Sequence, residues 1–296
     1  MTQSLHLHSR NEKSNPYRID ISPADAGWTY SSLRVVALAP GATEEWTTDE
    51  SEWIVLPLAG SCTVNCGEAR FELEGRASVF ERVSDFAYVP RSSNVSIHSE
   101  LGGRFAFAGA LADNVLPARY GAAHEVPVEL RGAGSMSRQC NNFASPEGFH
   151  TDRLVAVEVL VPGGNWASYP PHKHDEVRPG EAQLEEIYYF EVRGGAADGA
   201  PGPGAYQRVY SSGPDRQIDV LAEVTSGDAI LIPYGYHGPS MAAPGYDLYF
   251  LNVLAGPAQE RSMAYCDDPA HAWVRDSWRD QAIDPRLPMT SSRGVV

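Results

Sequence analysis

Apolar residues in this 296-residue chain come in short runs that Gly, Pro, Asn and Asp keep cutting off. Hardly any stretch sustains the 3.6-residue period of an amphipathic helix. Residues 33–38, 53–58, 86–89, 105–111, 154–161, 187–192, 229–232 and 248–254 each suit a strand and are too short for a core helix. Strands at such regular spacing fold as an all-β sandwich or barrel.

The pattern occurs twice. Pro40-Gly41, the run 53–58 with Gly60, and Asp85-Phe86-Ala87-Tyr88-Val89-Pro90 recur as Pro162-Gly163, the run 187–192 with Gly194, and the segment from Asp228 to Pro233. An internal duplication predicts two antiparallel barrels in tandem. The expected divisions are an N-terminal extension at 1–19, a first barrel at 20–125, a second at 126–280 and a loose, polar tail at 281–296. His6-Leu7-His8 reads as a frayed end. The Gly/Pro/Ala-rich segment 194–204 reads as a mobile hairpin crossing.

Only the second half carries the residues of a metal site. In Tyr169-Pro170-Pro171-His172-Lys173-His174-Asp175, an extended backbone sends His172 and His174 to one face and Lys173 to the other. In Leu184-Glu185-Glu186-Ile187-Tyr188-Tyr189-Phe190, Glu185 and Glu186 point opposite ways, so one of them can join the histidines, and parity leaves both open. The run from Gly227, closed by Pro233-Tyr234-Gly235-Tyr236, reads as a strand and turn that present His237. Neutral imidazoles with a carboxylate suit Zn, Mn, Fe, Ni or Co and leave positions open for substrate. The first half has Trp46-Thr47-Thr48-Asp49-Glu50 where a His-x-His pair would stand, and no histidine follows Pro90 until His98. That barrel is expected to be metal-free and structural.

These segments, with Asn165-Trp166-Ala167-Ser168, Gln207-Arg208-Val209-Tyr210 and the stretch from Ala243 through Tyr246 to Val253, resemble the KduI/IolB isomerase family of the cupin superfamily. The resemblance is densest between residues 138 and 257. It implies a bicupin of two jelly-roll barrels, with His172, His174, Glu186 and His237 as ligands of a divalent metal, selecting Glu186 over Glu185. The eleven residues between His174 and Glu186 favour the IolB branch over the KduI branch. That branch implies aldose–ketose isomerisation of 5-deoxy-glucuronate to 2-deoxy-5-keto-gluconate in myo-inositol catabolism. Two other classes share parts of the pattern: Fe(II)-dependent cupin oxygenases and non-enzymatic sugar-binding bicupins. Dependence on O₂ would mark the first, and ligands eroded from both halves the second.

A ketol-isomerase moves hydrogen between two adjacent carbons and needs a proton carrier beside the metal. Glu158, a carboxylate amid Val and Leu in the run 154–161, is the first candidate for the base. Tyr246, after a Pro-Gly turn, is the second. Arg208 and Arg153 are the candidates for the substrate carboxylate, which a guanidinium fork binds bidentately.

The partner so implied is a small-molecule uronic acid, with homo-oligomerisation left open. A net charge of −15 without a basic cluster excludes nucleic acid. It also requires local cations to recruit an anionic substrate, and Arg138, Arg153, Lys173 and Arg208 lie near the motifs. No apolar run reaches the ~18–20 residues of a membrane span. The polar N-terminus lacks an apolar signal core, which predicts a cytoplasmic protein. Cys62, Cys66, Cys140 and Cys266 are too scattered for a disulfide framework and are expected to be reduced.

Overall fold

The computed structural model describes residues 4–10, 15–194 and 204–296, so nearly all of the segment 194–204 lies outside the described residues. A strand β1 (His6–Leu7) leads into β2 (Tyr17–Ile21), β3 (Ser31–Leu38), β4 (Ala42–Thr47), β5 (Ser51–Cys66), β6 (Ala69–Arg76), β7 (Phe86–Val89), β8 (Asn94–Ser99), β9 (Gly103–Leu111) and β10 (Arg119–Gly121). The second half runs through β11 (Val128–Arg131), β12 (Arg138–Ala144), β13 (Val155–Val161), β14 (Trp166–Ala167), β15 (His172–Lys173), β16 (Asp175–Arg178) and β17 (Glu181–Gln183). It ends with β18 (Glu185–Gly194), β19 (Ala205–Tyr210), β20 (Asp219–Val224), β21 (Ala229–Ile232), β22 (Tyr236–Ala242), β23 (Tyr246–Ala255) and β24 (Cys266–Asp267). Among the described residues no helix is long and apolar enough to cross a membrane.

In the first barrel the main sheet runs β10-β7-β5-β9-β3-β2, and β4, β6 and β8 wrap the far end of the long β5. In the second, β1-β21-β18-β23-β13-β12-β11 faces β20-β19-β22-β15-β24. The two main sheets pack against each other, so their strands are buried on both sides and read as unbroken apolar runs. Alternation then divides each strand between two cores. Trp53, Val55 and Phe107 fill the first barrel. Tyr188, Phe190 and Phe250 fill the second. Ile54, Leu56, Ile187, Tyr189 and Leu251 lie in a core shared between the barrels.

Strand register confirms the duplication. Trp53 stands opposite Val89 as Glu186 stands opposite Ile232, so a buried Trp takes the place of the second barrel's glutamate. Beside it Trp46 stacks on Phe107 at 4.5 Å, and aromatic rings occupy the interior where the other barrel gathers histidines. The four cysteines are unpaired.

Two expectations about the chain ends need correction. The segment His6-Leu7-His8 is not frayed, because β1 pairs with β21 of the second barrel. At the equivalent place in the first half, β10 pairs with β7. The N-terminal strand β1 thus completes the second barrel's sheet, while β10 closes the edge of the first barrel's own sheet. The tail is not loose either. Leu287 and Met289 are buried in the shared core, and residues 290–295 close a short hairpin. Gln139 fixes it by accepting the Met289 N–H at 2.8 Å and donating to the Thr290 carbonyl at 2.9 Å. Composition showed the tail's polarity but not these two apolar anchors.

Candidate metal centre

The pairing of β15 with β22 sets His172 directly opposite His237, with ring centroids 4.5 Å apart. Lys173 turns the other way, as parity requires, and its ammonium donates to Asp175 at 2.7 Å and Glu181 at 2.8 Å. Asp175 in turn accepts the Gly235 N–H at 2.8 Å, so this ion network holds the turn that presents His237. Gly238 follows with φ +92°, and a Cβ there would stand 1.8 Å from the Ser168 carbonyl oxygen. Only glycine lets β22 pass the histidine segment so closely.

The donor atoms of His174, Glu186 and His237 lie within 4.8 Å of one another, all buried. His174 Nε2 is 3.0 Å from Glu186 Oε2, and His237 Nε2 is 3.1 Å from the same oxygen. Asn252 donates to the other oxygen, Oε1, at 2.6 Å and so fixes the carboxylate plane. Burial works to raise the Glu186 pKa, but the flanking His237 and His174 outweigh it and hold the carboxyl far below the usual range. Burial, with His237 and His174 close by, keeps His172 well below its ordinary pKa and therefore neutral.

Three imidazoles share one orientation. The Nδ1 atoms of His174 and His237 each face a backbone carbonyl at 3.3 Å, of Leu184 and Gly235, and His172 Nδ1 faces that of Pro170 at 3.5 Å. A carbonyl only accepts, so each Nδ1 presents its hydrogen there, and a neutral ring in that tautomer aims its Nε2 lone pair inward. His237 Nε2 is buried and makes no hydrogen bond despite its nearness to Glu186. An orphaned buried nitrogen among converging donors, with backbone acceptors fixing the tautomers, is the arrangement a divalent metal satisfies. The residues fit the ion.

A cavity of about 70 Å³ opens beside the cluster. His172, His174, Glu186, Tyr188 and Asn252 line it, and so do Arg131, Arg138, Cys140, Tyr265 and Arg275. Arg131 is paired with Glu129 at 2.6 Å, and Arg275 with Asp267. Arg138 differs. It is buried, donates to the Met136 carbonyl at 3.1 Å, lies against the Trp278 ring, and forms no ion pair among the described residues. Burial, with Arg131 and Arg275 nearby, pushes its pKa down.

The residues expected to do the chemistry lie elsewhere. Glu158 sits on β13 with Ala156 and Leu160, on the face toward the shared core, whereas Val157 and Val159 line the cavity. Its carboxylate is bound by Arg76 of the first barrel, by the Tyr249 hydroxyl at 2.7 Å and by Asn141 at 3.3 Å. It is a structural counter-ion, and this placement removes it as the base. Tyr246 shares the inner face of β23 but lies six residues from Asn252, about 20 Å along the strand, with its ring against Gly204. Arg208 points out of the barrel and is held by Asp219 and the Val220 carbonyl. Arg153 binds the carbonyls of Gly256, Pro257 and Ala258.

Sequence reasoning noted Arg138 only as a nearby cation and missed Arg131, Tyr265, Arg275 and Asn252. Asn252 had a signal: it is a lone polar residue in an apolar run. The other three come from short segments that carry no periodicity.

Two antiparallel barrels in tandem, one of them enclosing a buried imidazole–carboxylate cluster, define a bicupin. The chain belongs to the KduI/IolB family, which it matches over residues 5–274. It is 40% identical over 274 residues to the 5-deoxy-glucuronate isomerase of Geobacillus kaustophilus, covering 91% of this chain and 94% of that protein. With the 5-deoxy-glucuronate isomerase of Bacillus subtilis strain 168 it shares 34% identity over 280 residues, 93% of this chain and 99% of the relative. Among solved structures, an IolB-like protein from Salmonella typhimurium LT2 superposes with a TM-score of 0.83 at 32% identity, covering 92% of this chain and 99% of that one. The oxalate decarboxylase of Lactobacillus farciminis shares the fold, with a TM-score of 0.61 at 13% identity over 90% of this chain and 89% of its own.

Proposed function

We propose that this chain is a metal-dependent aldose–ketose isomerase converting 5-deoxy-glucuronate to 2-deoxy-5-keto-gluconate, a step of myo-inositol catabolism. One observation carries the reading. A single cavity joins the imidazole–carboxylate cluster to a buried guanidinium that has no counter-ion among the described residues. The first suits the carbonyl end of a uronic acid and the second its carboxylate. The relatives named 5-deoxy-glucuronate isomerase supply the substrate.

In this reading His174, Glu186 and His237, with His172 as fourth ligand, hold the divalent ion. When bound, it supplies a Lewis acid for the oxygens of the two reacting carbons. Arg138 anchors the carboxylate through a charge-assisted fork, and Arg131 and Arg275 add positive potential around it. This answers how a chain of net charge −15 recruits an anion: the attraction is local. Tyr188 is an unsuitable proton carrier, because burial and Glu186 raise its pKa and its hydroxyl is engaged with Ser168 at 3.1 Å. Tyr265 is better placed. It is half-exposed, its ring lies 4.7 Å from that of His172, and the Arg275 guanidinium packs over it at 5.3 Å. The hydrogen on the hydroxyl-bearing carbon crosses with its electron pair to the adjacent carbonyl carbon, while the hydroxyl proton passes from one substrate oxygen to the other. A phenol accepts one proton as it donates another, so Tyr265 can carry that second transfer. The isomerisation consumes no reductant or oxidant.

The test is proton NMR of 5-deoxy-glucuronate with metal-analysed protein in D₂O under argon, with a chelator-stripped control. Growth of 2-deoxy-5-keto-gluconate signals, abolished by stripping, is the expected result. No turnover by metal-loaded protein would overturn the substrate assignment. Turnover that requires O₂ would replace isomerisation with oxygenation.

A further inference from the structure

One carboxylate in each half pins the edge strand of its main sheet. Asp85 precedes β7 as Asp228 precedes β21, and each faces the edge strand paired there, β10 or β1. Register makes Tyr120 and His6 equivalent, since Tyr120 stands opposite Ala87 and His6 opposite Ile230. Tyr120 donates its hydroxyl to Asp85 at 2.9 Å, the one side-chain bond from that edge strand, and the Glu74 and Gly75 N–H groups also donate to the carboxylate at 2.8 and 2.9 Å. The second half departs from this. His6 Nε2 lies 3.0 Å from Asp228 Oδ2, and a second imidazole, His8, puts Nδ1 2.9 Å from Oδ1. The spacing of two places both rings on one face of the strand, with centroids 4.3 Å apart.

We propose that His6, His8 and Asp228 form a second metal site, structural in role, which takes a Zn²⁺-class ion and staples the edge strand β1 to the catalytic barrel. Two imidazole nitrogens and a carboxylate have their donor atoms within 4.8 Å of one another, outside the cluster already described. Nitrogen and oxygen donors of this kind suit borderline-soft divalent ions. Asp228 is buried and held in place by the Thr225 N–H at 3.0 Å, so the carboxylate is oriented before any ion arrives. The His8 side chain is 73% exposed and that of His6 21%, which leaves an entry path and room for water as the remaining ligand. On binding, the ion takes the place of the hydrogen between each ring and the carboxylate, and each neutral ring then carries its proton on the nitrogen that faces away from the ion.

The experiment is zinc stoichiometry after equilibrium dialysis of the full chain, compared with His8→Ala, Asp228→Asn and His174→Ala. The expected result is two zinc ions per chain in the wild type and one in each variant. Asp228→Asn guards against the case in which His8→Ala simply releases the strand, because an amide still accepts one imidazole N–H. Hydrogen exchange gives a second readout, since the Leu231 amide donates to the Leu5 carbonyl at 2.9 Å. Zinc should slow exchange at Leu231 in the wild type and leave His8→Ala unchanged. One zinc in the wild type, kept by His8→Ala and lost by His174→Ala, would overturn this second site and leave the first standing. Two zinc ions that both survive in His8→Ala and Asp228→Asn would overturn it as well.

Discussion

At the residue scale, Arg138 governs how the cavity treats an anion. A buried guanidinium with no carboxylate partner among the described residues costs stability that an anionic ligand recovers. Arg138→Met should therefore raise KM for 5-deoxy-glucuronate by about 10–100-fold, the weight of a charge-assisted fork. It should leave the melting temperature of the unliganded protein unchanged or higher, and steady-state kinetics with a thermal melt read both. Tyr265→Phe removes only the hydroxyl, so kcat should fall by about 10²-fold or more while KM moves little. An unchanged kcat would move the proton relay elsewhere. Asn252→Ala frees one oxygen of Glu186, and competition with a chelator should show metal affinity lower by about 10–100-fold. The contrast between Glu186 and Glu158 shows what a sequence discloses about such sites. Both are carboxylates embedded in apolar strands; the family resemblance singled out the first, and apolar surroundings alone the second. Strand parity distinguishes them only once it is known which face of each strand meets the barrel interior, and that depends on the partner sheet.

The elements themselves were legible because each is a short apolar run with a turn at either end. Their second neighbours were not. Residues 53–58 and 187–192 read as strands from pattern alone, yet nothing local says that Glu52 and Glu185, at the heads of β5 and β18, would reach into the opposite half. Glu52 accepts the N–H groups of Asp152, Arg153 and Leu154, each at 2.7 Å. Glu185 accepts those of Thr29, Tyr30 and Ser31 at 2.7–2.9 Å. In each case the carboxylate caps the backbone that enters the partner's first inner strand, β13 or β3. Removing one leaves three amide groups short of an acceptor, at about 1–3 kcal/mol for each that water cannot reach. Glu52→Ala should thus destabilise the protein by about 3 kcal/mol or more in a urea melt, and Glu52→Gln, which keeps one carbonyl oxygen, by clearly less. Equal losses in the two variants would mean that packing around the side chain, rather than the capped amides, sets the cost. β1 and the tail were misread for the same reason as these caps. Their partners are more than a hundred residues away, and local polarity outvoted a few anchoring side chains.

At the scale of the molecule, the two barrels share a core and cross-link through buried charge. Arg104 of the first binds Glu191 of the second through two parallel hydrogen bonds, of 2.6 and 3.0 Å. Arg76 reaches across to Glu158, both side chains almost fully buried, while its other nitrogens donate to the Pro57 and Arg82 carbonyls at 2.9 and 3.1 Å. The first barrel thereby holds β13, whose other face lines the cavity, in register with the site. A structural counter-ion and a catalytic base make opposite predictions for Glu158→Gln. If Glu158 serves Arg76, the substitution strands a buried cation and costs about 3–5 kcal/mol. The melting temperature then drops by about 2–4 °C for each kcal/mol, while kcat per folded chain holds. The paired change Arg76→Met with Glu158→Leu should recover most of the lost stability, because a well-packed apolar pair is often equal to a buried ion pair. If Glu158 were the base, the single change would abolish turnover at an unchanged melting temperature, and the paired change would rescue nothing. Thermal melts and kcat measured on the same three preparations decide between the two roles.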